Sequence, residues 1–234
     1  MKLMSFNTQH CLNYLEQKID FDIMARTIKE CDADIVGLNE MRSFCKSDPE
    51  YADQTAILSK LTGIEHYYFA EAIRFYGTKP YGNGMLSKLP ILSAQTIVIP
   101  DPVERKYNGY YETRCLLKAT LQGDITVLIT HMGLNPDEQK NAVKTVLENL
   151  ADKRCILMGD FNMKPDNPLL IPIRERMIDT ADYFSEPKLS FPSDKPNRKI
   201  DYIFVSLDVE IAMADIPAIV SADHRPHTAE VIMK

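Results

Sequence analysis

There is no tryptophan in this chain, no apolar run near the ~20 residues needed to cross a bilayer, and no low-complexity tract or internal repeat. The first two absences argue against a protein that spans or inserts into lipid, and no stable membrane association is expected. The third argues against a repeat array. Positive charge is also in short supply: 27 Lys and Arg face 33 Asp and Glu, a net charge of -6. No global field therefore draws the protein to nucleic acid or anionic lipid, although a local basic patch could still serve a site. The five cysteines are odd in number and scattered without CxxC spacing, which reads as reduced thiols in a cytoplasmic protein. The opening MKLMSFNTQH has one lysine and no apolar core, so no signal peptide is expected. What remains is ordinary: 234 residues, 45% hydrophobic and 26% charged, the makings of one large domain over 1–234 with a substantial core.

Apolar runs alternate with helical patterns without a linker-like break. KLMSFN and ADIVGLNE read as strands ending on polar residues, and DFDIMARTIKECDA between them has helical spacing at Ile23, Met24, Thr27, Ile28 and Cys31. YADQTAILSKLTG predicts a short helix stopped by Gly63. Strand-like runs follow at 64–71, 83–88, 91–99, 112–121 and 124–130. The clearest helix comes next, with Asn135 as N-cap, Pro136 at the first helical position and Glu138 completing a capping box. Its apolar stripe is Val143, Val146, Leu147 and Leu150, and it leads into CILMGD, so 124–159 has the form of a β-α-β unit. A short helix near 168–177 and strands at 199–205, 208–214 and 227–233 complete the pattern. Strands outnumber helices by about two to one. The expected architecture is therefore two packed sheets with helices outside, an α+β or α/β sandwich rather than one doubly wound sheet.

Several strand-like runs end on residues that can bind metal or move protons: Asn7, Glu40, His131, and Asp160 with Asn162. In RCILMGDFNMKP the apolar run stops at Gly159, which would let the backbone leave the strand. On an extended backbone Asp160 and Asn162 would point to one side. A strand closing in an Asx turn would use the same residues. Asp201 lies between Ile200 and Tyr202-Ile203-Phe204, where a carboxylate is costly without a partner, and Asp223 stands beside His224. Singly, each has a structural explanation as a cap, a strand end or a satisfied core group.

Jointly, their order and contexts resemble the endonuclease/exonuclease/phosphatase superfamily of DNase I-like metal-dependent phosphoesterases. The resemblance runs from Asn7 to His224 and rests most on GDFN, then on KIDYIFVS and the terminal DH, with YGNGMLSKLPI and YETRCLLKATL similar to middle strands. Two departures are visible: Leu38-Asn39-Glu40 stands where Leu-Gln-Glu is common, and Ala222-Asp223-His224 where Ser-Asp-His is common. The resemblance implies a four-layer α-β-β-α sandwich of two mixed sheets flanked by helices. It implies Glu40 as principal metal ligand with Asn7 and Asp223 close by, and Asp160 as the group that orients or deprotonates water. Asn162 would hold the phosphate or that water, and Asp201 would orient His224, acting either as general base or as a cationic clamp. His131 would reach another phosphate oxygen. Asn83 takes the place of the glutamate that partners that histidine in DNase-like members, and Arg114 is the implied phosphate contact. Carboxylate and amide oxygens suit Mg²⁺ or Mn²⁺ better than zinc.

The implied activity is hydrolysis of a phosphodiester or phosphomonoester. The alternatives are a DNA or RNA nuclease, a sphingomyelinase-like phospholipid phosphodiesterase, and an inactive phosphate-binding module. The retained Glu40, His131, Asp160 and His224 weigh against the last. Arg74, Lys79, Lys88, Arg105, Lys106, Arg198 and Lys199 offer only a modest basic patch, which points to a small or single-stranded substrate. The segment IPDPVERKYNGYYE has the Pro, Gly and Tyr content of a mobile lid. A monomer is expected.

Overall fold

The computed structural model describes residues 1–46, 48 and 51–234. In chain order the elements are β1 (Lys2–Asn7), β2 (Leu12–Asn13), β3 (Lys18–Ile19), α1 (Phe21–Cys31), β4 (Ile35–Arg42), α2 (Gln54–Thr62), β5 (His66–Phe75), β6 (Lys79–Ser87), β7 (Ile91–Val98) and β8 (Cys115–Leu121). They continue with β9 (Ile125–His131), α3 (Pro136–Asn149), β10 (Cys155–Asp160), α4 (Ile171–Arg174), β11 (Met177–Asp179), β12 (Asp201–Ser206), β13 (Val209–Asp215) and β14 (His227–Met233). One sheet has the order β13-β14-β1-β4-β6-β5 and the other β11-β12-β10-β9-β8-β7. Each is mixed: β1 runs parallel to β4 and β9 parallel to β10, while their other neighbours are antiparallel.

The layering follows from the alternation along each strand. In β1, Leu3 points between the sheets, while Met4 and Phe6 point out against Met24 and Ile28 of α1 and Leu58 of α2. In β10, Ile156 and Met158 face inward, while Cys155 and Leu157 face Val143 and Val146 of α3. Both faces of the central strands are covered, which is why they read as nearly continuous apolar runs. The result is the α-β-β-α sandwich expected.

Local signals placed most elements well. Asn135 and Glu138 form their capping box with Pro136 at the helix start, and Gly63 ends α2 with φ +78. The helix expected near 168–177 is shorter: a 3₁₀ turn at Pro168–Leu170 runs into α4, and Met177–Asp179 is an edge strand instead. Gly159 does not release the chain from the sheet, because β10 continues through Asp160. The glycine is needed because φ is +145 there and a Cβ would run into the Thr130 carbonyl oxygen on the adjacent strand.

Candidate active site

The inward-facing positions change character at one end of the sandwich. Along β1, β4, β9 and β10 the inner-face parity that holds Leu3, Ile35, Ile129 and Met158 ends on Asn7, Asn39, His131 and Asp160. β12 runs antiparallel to β10, so its first residue, Asp201, sits directly opposite Asp160. Period-two geometry thus delivers one cluster from residues scattered over nearly the whole chain.

Glu40 breaks that parity. Alternation would send its side chain to the helix-covered face, but its backbone is left-handed, with φ +61, and the β4–β6 register slips between Leu38 and Met41. A bulge of this kind re-aims a side chain. Here it brings the carboxylate to Asn7, whose Nδ2 donates to Glu40 Oε1 at 3.1 Å and to Asp160 Oδ2 at 3.1 Å. A non-glycine residue held in this region carries strain of order 1 kcal/mol. Functional sites are where such strain is retained.

Asp160 is 1% exposed. Burial pushes its pKa up; His224 works against that push and Asp201 adds to it. Its Oδ1 accepts the backbone N–H of Asn162 at 2.9 Å, and Asn162 has φ +52. The strand therefore does close in an Asx turn, and that turn carries the Asn162 amide to His131 Nε2 at 3.2 Å and the Met132 carbonyl at 3.0 Å. Asp201 has the partner its burial demanded: Oδ2 lies 2.8 Å from His224 Nδ1, while His224 Nε2 is 3.6 Å from Asp160 Oδ2. Burial would push the His224 pKa down, but Asp201, Asp160 and Asp223 outweigh it and hold it up at about 10. This histidine is an imidazolium at neutral pH.

Asp223 completes the acidic side. Burial pushes its carboxyl up to about 6, with His224 opposing and Glu40 and Asp201 adding to the rise. Its Oδ1 is sealed from solvent and has no hydrogen-bond partner among the described residues. A buried oxygen left bare beside a second carboxylate fits a cation. Glu40 and Asp223 thus offer oxygen ligands of the type a hard divalent ion takes, whereas Asn7 turns its Nδ2 toward Glu40 and Asp160 and spends its Oδ1 on the Gln9 N–H at 3.0 Å. Asp160, Asp201 and His224 also bring one ligand atom each within 4.8 Å of one another. In that group His224 commits Nδ1 to Asp201, which leaves Nε2 as the nitrogen facing Asp160.

Asn83, expected as a substrate contact in the place of the glutamate that partners His131, is buried in the contact between the sheets. The residue is 2% exposed, its Oδ1 accepts from Asn39 Nδ2 at 2.8 Å, and its Nδ2 donates to the Cys115 carbonyl at 3.0 Å. Both ends of the amide are thus tied into the buried contact between the sheets. His131 instead has Arg114 Nη1 at 2.9 Å from Nδ1. The basic residues do not pool into one free patch: Arg74 pairs with Glu71, Lys79 with Asp48, Lys88 with Asp32 and Asp34, and Lys199 lies 3.7 Å from Asp179. The segment 99–112 is irregular but tied to the start of α3, through Tyr111 to Asp137 at 2.8 Å and Asn135 to the Tyr110 carbonyl at 3.1 Å.

Three contributors were not singled out from sequence for this role. Asn39 joins the sheets beneath the cluster, Glu112 backs Arg114 at 2.6 Å, and the stretch Ser190–Ser193 buttresses the last motif. There Phe191 packs on the His224 ring at 4.7 Å between centroids, and Ser193 N–H donates to the Asp223 carbonyl at 2.7 Å. The signal for Asn39 was its adjacency to Glu40 at a strand end; the others carry none.

Among solved structures, an endonuclease/exonuclease/phosphatase from Beutenbergia cavernae shares 21% identity with TM-score 0.79, over 100% of this chain and 71% of that one. A mannosyl-6-phosphatase from Bacteroides thetaiotaomicron shares 15% identity with TM-score 0.77 over 100% of both chains. The human Nocturnin catalytic domain with bound sulfate shares 14% identity with TM-score 0.70, over 100% of this chain and 94% of that one. No curated protein matches the chain. Likenesses at such identity speak to the fold, which is common to all three. The family itself is shown by a match over residues 4–224, almost the whole length: this chain belongs to the Endonuclease/Exonuclease/phosphatase family.

Proposed function

We propose that this protein is a divalent-metal-dependent phosphoesterase that hydrolyses a phosphodiester or phosphomonoester by in-line attack of water. The observation that carries the reading is the pairing of opposite roles in one cluster. Asp160 has a pKa raised toward neutrality and so can accept a proton, while His224 is held cationic 3.6 Å away by Asp201. Glu40 and Asp223 would hold Mg²⁺ or Mn²⁺, joined by Asn7 if its amide turned its oxygen inward, and the ion would neutralise charge on the phosphate oxygens. Asp160 orients the attacking water and takes its proton, anchored by Asn7 and by the turn to Asn162. His224 donates through Nε2 to the charge that develops on phosphate, and Asp201 fixes its ring. The imidazolium favours the clamp over the base for His224. Arg114, 11% exposed at its side chain, reaches the site by way of His131.

The substrate we infer is a small phosphoester or a single-stranded nucleic acid, taken by a monomer. The local pairing of the basic residues supports this over duplex DNA. No helix among the described residues is long and apolar enough to cross a membrane. A cytoplasmic setting is supported by the free thiols of Cys11, Cys31, Cys115 and Cys155, since oxidising compartments favour disulfides. The test is turnover of a phosphoester panel with Mg²⁺ and with Mn²⁺, including single- and double-stranded nucleic acids, sphingomyelin, phosphoinositides and sugar phosphates. Cleavage of one class with loss on chelation is expected; no turnover of any would leave a binding module.

A further inference from the structure

Arg114 and Glu112 form a buried relay behind His131. Their side chains are 11% and 9% exposed, and Arg114 Nη1 lies 2.6 Å from Glu112 Oε1 and 2.9 Å from His131 Nδ1. A guanidinium has only donors and does not lose its proton in proteins. The bond to Nδ1 can therefore form only if Nδ1 carries a lone pair. A neutral ring must then keep its proton on Nε2, and an imidazolium would set N–H against N–H and charge against like charge.

We propose that Glu112, acting through Arg114, fixes His131 as the neutral Nε2–H tautomer, so that it enters the site as a hydrogen-bond donor and not as a cation. Nε2 faces the Asn162 amide nitrogen at 3.2 Å and Asp160 Oδ2 at 3.6 Å. The amide is oriented independently, because its Nδ2 donates to the Met132 carbonyl at 3.0 Å. Its second N–H also points at Nε2, but the charge-assisted bond from Arg114 at 2.9 Å outweighs a neutral one at 3.2 Å. With the proton kept on Nε2, two N–H donors therefore face each other there and neither satisfies the other. A phosphate oxygen arriving there receives both, the arrangement of an oxyanion hole. Glu112 and Arg114 are positioning residues in this scheme, since they act through His131. The substrate contact rests on the phosphoesterase reading; the tautomer rests on geometry alone.

The charged groups that face His131 are Arg114 from the lead-in to β8, Asp160 on β10 and His224 from the loop before β14, with Glu112 behind Arg114. Burial, then Arg114 and His224, drives the His131 pKa well below its ordinary value. The test is long-range ¹H–¹⁵N correlation of the ring nitrogens in the full-length protein with and without Mg²⁺, the His131 signals being those missing from His131→Gln. Between about pH 5.5 and 8 the wild type should show a protonated Nε2 and a bare Nδ1 throughout. Arg114→Met should release the ring, giving a tautomer mixture that protonates within that range, and Arg114→Lys should restore the lock because an ammonium also only donates. If Arg114→Met fails to fold around an unpaired Glu112, the double variant Glu112→Gln/Arg114→Met removes both charges and must show the same release. An Nδ1–H or imidazolium signal in the wild type, or an unchanged ring in the Met variants, overturns the proposal. With a substrate in hand, Glu112→Gln should lower kcat by about tenfold with KM little changed. Turnover absent from every phosphoester would defeat the functional reading and leave the tautomer result standing.

Discussion

Asn39 on one sheet accepts the backbone N–H of Asp160 on the other through Oδ1 at 2.9 Å, and returns a bond from Nδ2 to the Thr130 carbonyl at 3.0 Å. It spans the two sheets immediately beneath the candidate catalytic carboxylate, with no exposure of its own. Together with the bond to Asn83, the side chain satisfies three groups that would otherwise be buried bare.

Asn39→Asp should therefore be far from conservative. It keeps the acceptor for Asp160 N–H but turns Nδ2 into an oxygen facing the Thr130 carbonyl and the Asn83 amide oxygen. Each buried group left unsatisfied costs about 1–3 kcal/mol. The expected result is a clear fall in Tm with a fall in turnover, both partly recovered in Asn39→Gln, which retains donor and acceptor. An unchanged melting curve for Asn39→Asp would show that the sheets do not depend on this bridge.

Why Asn39 escaped a functional reading, when Asp160 did not, shows where sequence stops informing. Period-two alternation is a local property, so inner-face residues at strand ends were legible: Asn7, His131, Asp160 and the costly Asp201 all lie in the cluster. The bulge at Glu40 reverses that alternation, and nothing in Leu38-Asn39-Glu40 encodes a left-handed backbone. Its place at a strand end brought Glu40 forward and family likeness gave it the metal-ligand role, but neither foresaw the bulge that aims it. At Asn83, where the likeness has a glutamate, the amide is committed to Asn39 and Cys115, and His131 takes Arg114 as its partner instead. Glu112 and Phe191 act through contacts between distant segments, which no single-segment pattern records.

Glu40 and Asp223 make the metal testable. Glu40→Gln keeps the acceptor for Asn7 but removes a charge from the proposed ligand set. It should weaken Mg²⁺ or Mn²⁺ binding by calorimetry at least tenfold, about 1.4 kcal/mol, and lower activity in parallel. EDTA should abolish wild-type activity, with either ion restoring it. Full turnover in the chelated protein would remove metal from the scheme.

Asp201 and His224 should behave as one unit. With Nδ1 and Oδ2 at 2.8 Å, Asp201→Asn takes away the charge that keeps the imidazolium, and His224→Ala takes away the ring. The double variant should then be little slower than His224→Ala, since residues acting together are non-additive. Losses that multiply would mean that each acts alone, and Asp201 would need another reason for its burial.

Acid stability should report on His227, which lies outside the reacting cluster. Burial and then Lys199 lower its pKa to about 3, with a bond to the Asp201 backbone opposing. The folded state thus holds the ring neutral while the unfolded chain protonates near 6.5, so the unfolded state binds more protons between those values. Stability from this residue is complete above about pH 6.5 and is lost as pH falls toward 3, with a slope up to about 1.4 kcal/mol per pH unit. His227→Gln should flatten that part of the urea-unfolding profile relative to wild type. Parallel profiles would show that the ring titrates normally in the fold.

Asp160→Asn separates the chemistry at the end of β10 from its architecture. The strand closes through Oδ1, which accepts Asn162 N–H, and asparagine is an equally good residue for that turn. What changes is the other oxygen, which accepts from Asn7 and stands 3.6 Å from both His131 and His224. Losing a buried charge relieves desolvation and repulsion from Asp201, whereas losing the acceptor for Asn7 and the anion beside His224 costs about as much. The melting temperature should therefore move little, within about 1 kcal/mol of stability. Turnover should fall roughly a hundredfold or more, the scale of a lost general base. If Asp160 served only to close the strand, the same variant would melt and turn over like the wild type. A melting curve beside a rate on any phosphoester the wild type cleaves, each with and without Mg²⁺, decides between them. Wild-type turnover in this variant would take the proton acceptor out of the proposed site and, with it, the role assigned to the carboxylate at its centre.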